Sequence, residues 1–245
     1  LKVVDQVPSS TIVPQALYDA SAQQLGAGQW VAAIATLSSF QQAYPEHEFY
    51  SDATEKLIFA YSKNGEWSPA ADKLIEFARS LEDEERSTQA YFQAAEYYQK
   101  AGFDLEAQAS YQFFVKQFPD KFDLNIEAHD RIIAIYGSDE KHSRQWSERL
   151  VAYEGKYESM RTPRSAELAA KLSFELAARD IGAFESSRLA LPLKASLKKK
   201  RAFMDVALKR LQAVAQYGVQ EWQSAATYRI AGLYLALARD LLSSE

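Results

Sequence analysis

The feature that most constrains this chain is a repeat with a period of 37 residues. Gly28, Gly65 and Gly102 are separated by that interval twice. So are Ala33, Ala70 and Ala107, the large apolar residues Leu37, Leu74 and Tyr111, and the aromatics Phe40, Phe77 and Phe114. Pro45 and Pro119 stand two periods apart, with Glu82 at the equivalent place between them. A fixed period of this length marks an array of supersecondary units that bury a continuous core only by stacking. Each period reads as two helices. The first set covers Ala16 to Leu25, Ala53 to Tyr61 and Ala90 to Tyr98, and the second covers Trp30 to Ala43, Pro69 to Leu81 and Leu105 to Phe118. Each glycine ends a first helix, where a left-handed backbone is often required. The small alanine allows close helix crossing, and the larger residues four and seven positions on fill the same face.

Composition supports helices throughout. The 245 residues include only 9 Gly and 7 Pro, which argues against a turn-rich sandwich or barrel. With no cysteine, disulfides, thiol nucleophiles, Fe–S clusters and thiolate zinc sites are ruled out. The net charge of −5 disfavours non-specific nucleic-acid binding. No window reads as a transmembrane span, the closest being Ile230 to Leu242, interrupted by Arg239 and Asp240. Residue 1 is Leu, so the chain reads as a mature form or as part of a longer one, with any signal peptide or lipid anchor outside it.

The units resemble the tetratricopeptide repeat (TPR) family, a degenerate 34-residue helix pair closed by proline. Ala33, Leu37 and Pro45 match that pattern, as do Ala107, Tyr111 and Pro119; the second unit keeps Ala70 and Leu74 without the proline. The first two units are similar to envelope members of the outer-membrane β-barrel assembly lipoprotein type, through Ala43-Tyr44-Pro45 and Asp52-Ala53. The resemblance covers roughly residues 14–121 and implies an all-α, right-handed α-α superhelix. The expected organisation is an extended leader over 1–13, three repeats over 14–121, a degenerate fourth over 122–160, and longer, less regular helices over 161–245. In the last part, helices are expected at Arg164 to Asp180, punctuated by Gly182, at Phe184 to Tyr217 with a kink or break at Pro192, and at Gln220 to Leu242.

Signatures of chemistry are sparse. His47, His129 and His142 have no metal-ligand spacing, and no nucleotide, dinucleotide or hydrolase motif is present. No catalytic residue, metal or cofactor is expected. Glu82 to Glu85 reads as a solvated loop leading into a helix, with docking of a basic segment as the alternative. Lys198 to Arg201 reads as a solvated stretch of helix, with anionic lipid or an acidic partner as the alternative.

The resemblance places first helices on the inner face of the superhelix. Those positions are Gln15, Tyr18, Ala22 and Leu25, then Asp52, Glu55, Phe59 and Lys63, then Gln89, Phe92, Glu96 and Lys100, with His129 and Ile133 if the fourth unit keeps register. The expected partner-binding residues are Tyr18, Glu55, Phe59, Lys63, Phe92, Glu96, Lys100 and His129. For the aromatics the alternative is packing within the core.

The function implied is a non-enzymatic scaffold that binds a protein or peptide, periplasmic or outer-membrane associated, with the cytoplasm as alternative. Nucleic acid is not an expected partner; membrane association would come through a segment outside the chain. The rivals are a structural spacer in a longer repeat array and the helical domain of a peptidoglycan-acting enzyme. The last helix, with Ile230, Leu233, Leu235, Leu237, Leu241 and Leu242, is too apolar for a free end, so it is expected to fold back, form a homo-oligomer or continue into further repeats.

Overall fold

A computed structural model describes residues 12–243 of the chain. Among them are eleven α-helices and no strand. They fall into two compact units, Leu1–Pro119 and Asp120–Glu245.

In the first unit six helices alternate with short turns: α1 (Val13–Gly26), α2 (Trp30–Ala43), α3 (Tyr50–Asn64), α4 (Trp67–Ser80), α5 (Glu84–Lys100) and α6 (Asp104–Gln117). Each packs on the next. The extended leader expected over 1–13 falls almost wholly outside the described residues, and Val13, its last residue, is already helical and buried. The three turns share one geometry. Gly28, Gly65 and Gly102 all have positive φ, between 70° and 80°, which L side chains rarely adopt. The residue after each glycine then donates its N–H to the carbonyl five residues back: Gln29 to Gln24, Glu66 to Tyr61, Phe103 to Tyr98. This satisfies a carbonyl that a helix end would otherwise leave unpaired. The second helices therefore start at Trp30, Trp67 and Asp104, one period apart.

The core of this unit repeats in tiers. Ala33, Ala70 and Ala107 have no exposed surface, and Leu37, Leu74 and Tyr111 lie buried one turn on, followed by Phe40, Phe77 and Phe114. Pro45 and Pro119 follow α2 and α6 and cannot continue them. Where the second repeat lacks proline, the acidic run supplies the next start instead. Asp83 caps α5 by accepting from the Arg86 N–H, and Glu84 and Glu85 occupy the first turn, favourable to the helix dipole.

The second unit contains α7 (Phe122–Tyr136), α8 (Glu140–Lys156), a 3₁₀ turn (Glu158–Met160), α9 (Pro163–Ser186), α10 (Leu193–Gln216) and α11 (Gln220–Leu242). Helix α8 starts three residues before the expected Ser143, because Asp139 caps it by accepting from the His142 N–H. Thr162 and Ser165 form a reciprocal capping box at the start of α9. That helix continues through Gly182 rather than ending there. Burial of Ile181 and Phe184 on either side offsets the roughly 0.5–1 kcal/mol that an interior glycine costs. At Pro192 the chain breaks, and α10 begins only at Leu193.

The basic run also departs from expectation. Lys198, Lys199 and Arg201 are exposed, but Lys200 is fully buried. Its Nζ donates to the carbonyls of Phe184 and Ser187 at 3.0 and 2.8 Å and pairs with Asp240 at 2.6 Å. The same ammonium lies 4.3 Å from the Phe184 ring centroid. One side chain of α10 thus closes the C-terminal end of α9, where cations are favoured, and ties it to α11. Replacing Lys200 by Met leaves two carbonyls and Asp240 without that donor. The expected cost is about 2 kcal/mol in urea denaturation, with faster amide exchange at the end of α9. An exposed neighbour, Lys199→Met, is expected to change neither.

Candidate partner-binding face

The first helices of the first unit, α1, α3 and α5, are linked by polar contacts along one side. The Tyr18 hydroxyl of α1 donates to Asp52 of α3, which also accepts from Lys56 at 2.8 Å. That bond to Asp52, with partial burial, raises the Tyr18 pKa. Burial pushes the Asp52 carboxyl up, but the donors Lys56 and Tyr18 outweigh it, and its pKa lies below the usual value. Further along, Arg86 of α5 pairs with Glu55 of α3 at 2.8 Å. Both partners are about half exposed, so this pair contributes little to stability and acts mainly to position the side chains.

At the other end of the same helices two aromatic clusters recur one period apart. Phe59 packs edge-on against Trp30, with ring centroids 5.8 Å apart, and Lys63 Nζ lies 5.3 Å from the Phe59 centroid. Trp67 packs on Tyr97 at 5.2 Å, and Lys100 Nζ lies 5.0 Å from the Trp67 centroid. Phe59 keeps 45% of its surface exposed, and Lys63 and Lys100 are exposed. Among the described residues neither lysine has a carboxylate partner within ion-pair distance. Each cluster thus carries one cationic group at its edge, and Phe59 of the first supplies exposed apolar surface.

The eight expected residues separate by environment. Glu55, Phe59, Lys63 and Lys100 are exposed, and Tyr18 and Glu96 are half-buried. Phe92 turns toward α6 instead, with its ring 5.6 Å from Tyr111 and 5.3 Å from Phe114. It extends the aromatic core. His129 lies in the second unit and is 3% exposed, so it is a core residue and not part of an open face. Its Nδ1 sits 2.7 Å from the Asn125 carbonyl and therefore carries the proton. Its ring stacks on Tyr153 and meets Trp146 edge-on. Sequence reasoning did not include Trp30 and Trp67, although both they and the lysines recur at the repeat period; that shared period was the available signal.

Among the described residues no group of three His, Asp or Glu could hold a metal ion, and no helix is long and apolar enough to cross a membrane. The second unit has an open trough of about 880 Å³ between α8 and α9, lined in part by Lys141, Arg144, Glu148, Glu175 and Arg179. Charges of both signs alternate there, and Arg144 is paired with Glu148, so no set of groups converges on one chemistry.

Burial of His129 has a measurable consequence. Desolvation holds its pKa below the ordinary value, reinforced by Arg149 and opposed by the bond to Asn125. The unfolded chain therefore binds more protons at mildly acidic pH, and stability falls as the pH drops below about 6.5. In urea titrations at neutral and mildly acidic pH, wild-type protein is expected to lose more stability on acidification than His129→Gln.

The family described as YfiO, outer membrane lipoprotein, matches residues 11–121. No curated protein matches the chain. Similar solved structures include a tetratricopeptide repeat protein from Parabacteroides merdae, 13% identical over 94% of this chain and 76% of that one, with a TM-score of 0.46. Another is a putative kinesin light chain from Podosopora anserina with TPR-like repeats, 17% identical over 80% of this chain and 96% of that one, with a TM-score of 0.39. Likenesses this distant add no functional detail. The six helices of the first unit, paired at a period of 37 residues, all fall within the segment that is similar to this outer membrane lipoprotein family, which is under half of the chain.

Proposed function

We propose that the chain is a non-enzymatic scaffold of a bacterial envelope assembly that binds a partner protein through the exposed face of α1, α3 and α5. The observation that carries this reading is the exposed Phe59 beside Trp30 with Lys63 at its rim, in a region that matches an outer membrane lipoprotein family. An apolar anchor with flanking charge suits an extended peptide or a partner helix. Lys63 and Lys100 favour carboxylates on that segment. The glutamate–arginine pair at Glu55 and Arg86 sets the polar boundary. Periplasmic or outer-membrane association is supported by the similarity to that family over residues 11–121 and not by any feature of the helices themselves.

The direct test compares wild type with a Phe59→Ala, Lys63→Glu, Lys100→Glu variant in pull-downs from envelope extract. All three positions are exposed, so the variant should remain folded, as checked by far-UV helicity and a cooperative thermal transition. Recovery of one specific partner is expected to fall at least tenfold, or about 1.4 kcal/mol of binding energy. Undiminished recovery of every partner would refute the face.

A further inference from the structure

The last helix has two faces of opposite character. Ala226 and Leu233 are buried against α9 and α10, with Trp222, Ile230 and Leu237 packed around them. On the opposite side Ser224, Tyr228, Ala231, Leu235, Ala238 and Leu242 are all exposed. Their spacing alternates four and three, the stagger of a coiled-coil seam. Tyr228 is 79% exposed, Leu235 60% and Leu242 80%. The stripe carries no charge and runs for about 27 Å. Scattered apolar residues on a surface are ordinary, but a continuous seam marks an interface.

The order of residues along the seam identifies the occupant. Large and small side chains alternate: Tyr, Ala, Leu, Ala, Leu. A second copy laid antiparallel about Leu233 places Tyr228 over the other copy's Ala238 and Ala231 over its Leu235. It also sets Leu242 over Ser224. Every large residue then meets a small one, as close packing requires. A parallel copy would stack Tyr228 on itself and leave gaps at the paired alanines. Charge agrees. Glu221 and Arg239 lie on one edge of the seam at its opposite ends, so reversal brings unlike charges to each end on the same side, whereas parallel alignment leaves like charges at the same end. Gly232 lies on that edge between them, and a Cβ there would meet nothing within its own chain. A helix-interior glycine is unfavourable by itself, and close approach of a second backbone gives it a use. The groove of about 230 Å³ beside it, between α9 and α11, continues the same face.

We infer that two copies of this chain pair through α11 as an antiparallel seam, in the register that sets Ala231 against Leu235 of the other copy. The inference is independent of the partner-binding face of the first unit. Light scattering across a dilution series is expected to give twice the 27.6 kDa of one chain at high concentration. Leu235→Glu should shift the mass to that of one chain with helicity unchanged, since the position is exposed. Because the chain has no cysteine, introduced ones report register without interference. Mixing Ala231→Cys with Leu235→Cys protein and oxidising should yield the mixed disulfide in excess over either symmetric one. A wild-type protein that stays monomeric at every concentration overturns the proposal and leaves the face to another segment or protein. So does a Leu235→Glu dimer, or a predominance of symmetric disulfides.

Discussion

Close crossing of helices at Ala33, Ala70 and Ala107 is the constraint on which the first unit depends. These residues have no exposed surface, and each stands one helical turn before a large buried residue. A methyl group is the largest side chain that lets the backbones approach there, and the following Leu or Tyr then fills the space on the same face. The glycine turns deliver each alanine to its place. Positive φ at Gly28, Gly65 and Gly102 closes the turn, and the bond from the next residue locks it, so every second helix begins at the same point in the period. Geometry repeated in this way turns sequence periodicity into spatial periodicity, and it places Lys63 over the Phe59 ring that meets Trp30, and Lys100, one period on, over Trp67.

The proposed binding role rests on what stacking leaves uncovered. The core takes one side of each first helix, and the other side remains available. On that side the inter-helix contacts are polar and largely self-satisfied, as at Tyr18, Asp52 and Lys56, while the apolar surface is concentrated at Phe59. A face with fixed polar links and one uncovered aromatic is preorganised, so a partner docking there would pay little to order it. The second unit uses its ionic groups differently. Lys200 is spent on closing the end of α9, and Arg210 pairs with Asp180 across α9 and α10, so much of its charge serves the fold.

Much of the fold was legible because its signals are local or periodic. Glycines at a fixed interval, alanines five residues on and prolines after second helices need no knowledge of distant contacts. Residues outside the period were misread for the same reason. Lys200 sits among exposed basic neighbours, and only the arrival of α11 and the end of α9 around it makes it a buried anchor. Gly182 looks like a terminator, yet tertiary burial of Ile181 and Phe184 carries the helix past it. The face was half legible. Phe59 and Phe92 occupy related positions on their helices, but Glu96, not an aromatic, stands one period after Phe59. Phe92 meets Tyr111 and Phe114 and is drawn into the core, while Phe59 meets the edge of Trp30 and the Lys63 ammonium and stays exposed. His129 belongs to a helix pair that has left the 37-residue register, so its burial had no periodic signal.

The first unit depends most directly on the alanine crossing, and Ala70→Leu measures it. The added volume at a fully buried crossing is expected to lower the urea-denaturation stability by about 1–3 kcal/mol while far-UV helicity is retained. The same change at exposed Ala35 should leave stability within about 0.5 kcal/mol of wild type. An Ala70→Leu protein as stable as the parent would contradict a fold organised by close helix crossing at that position.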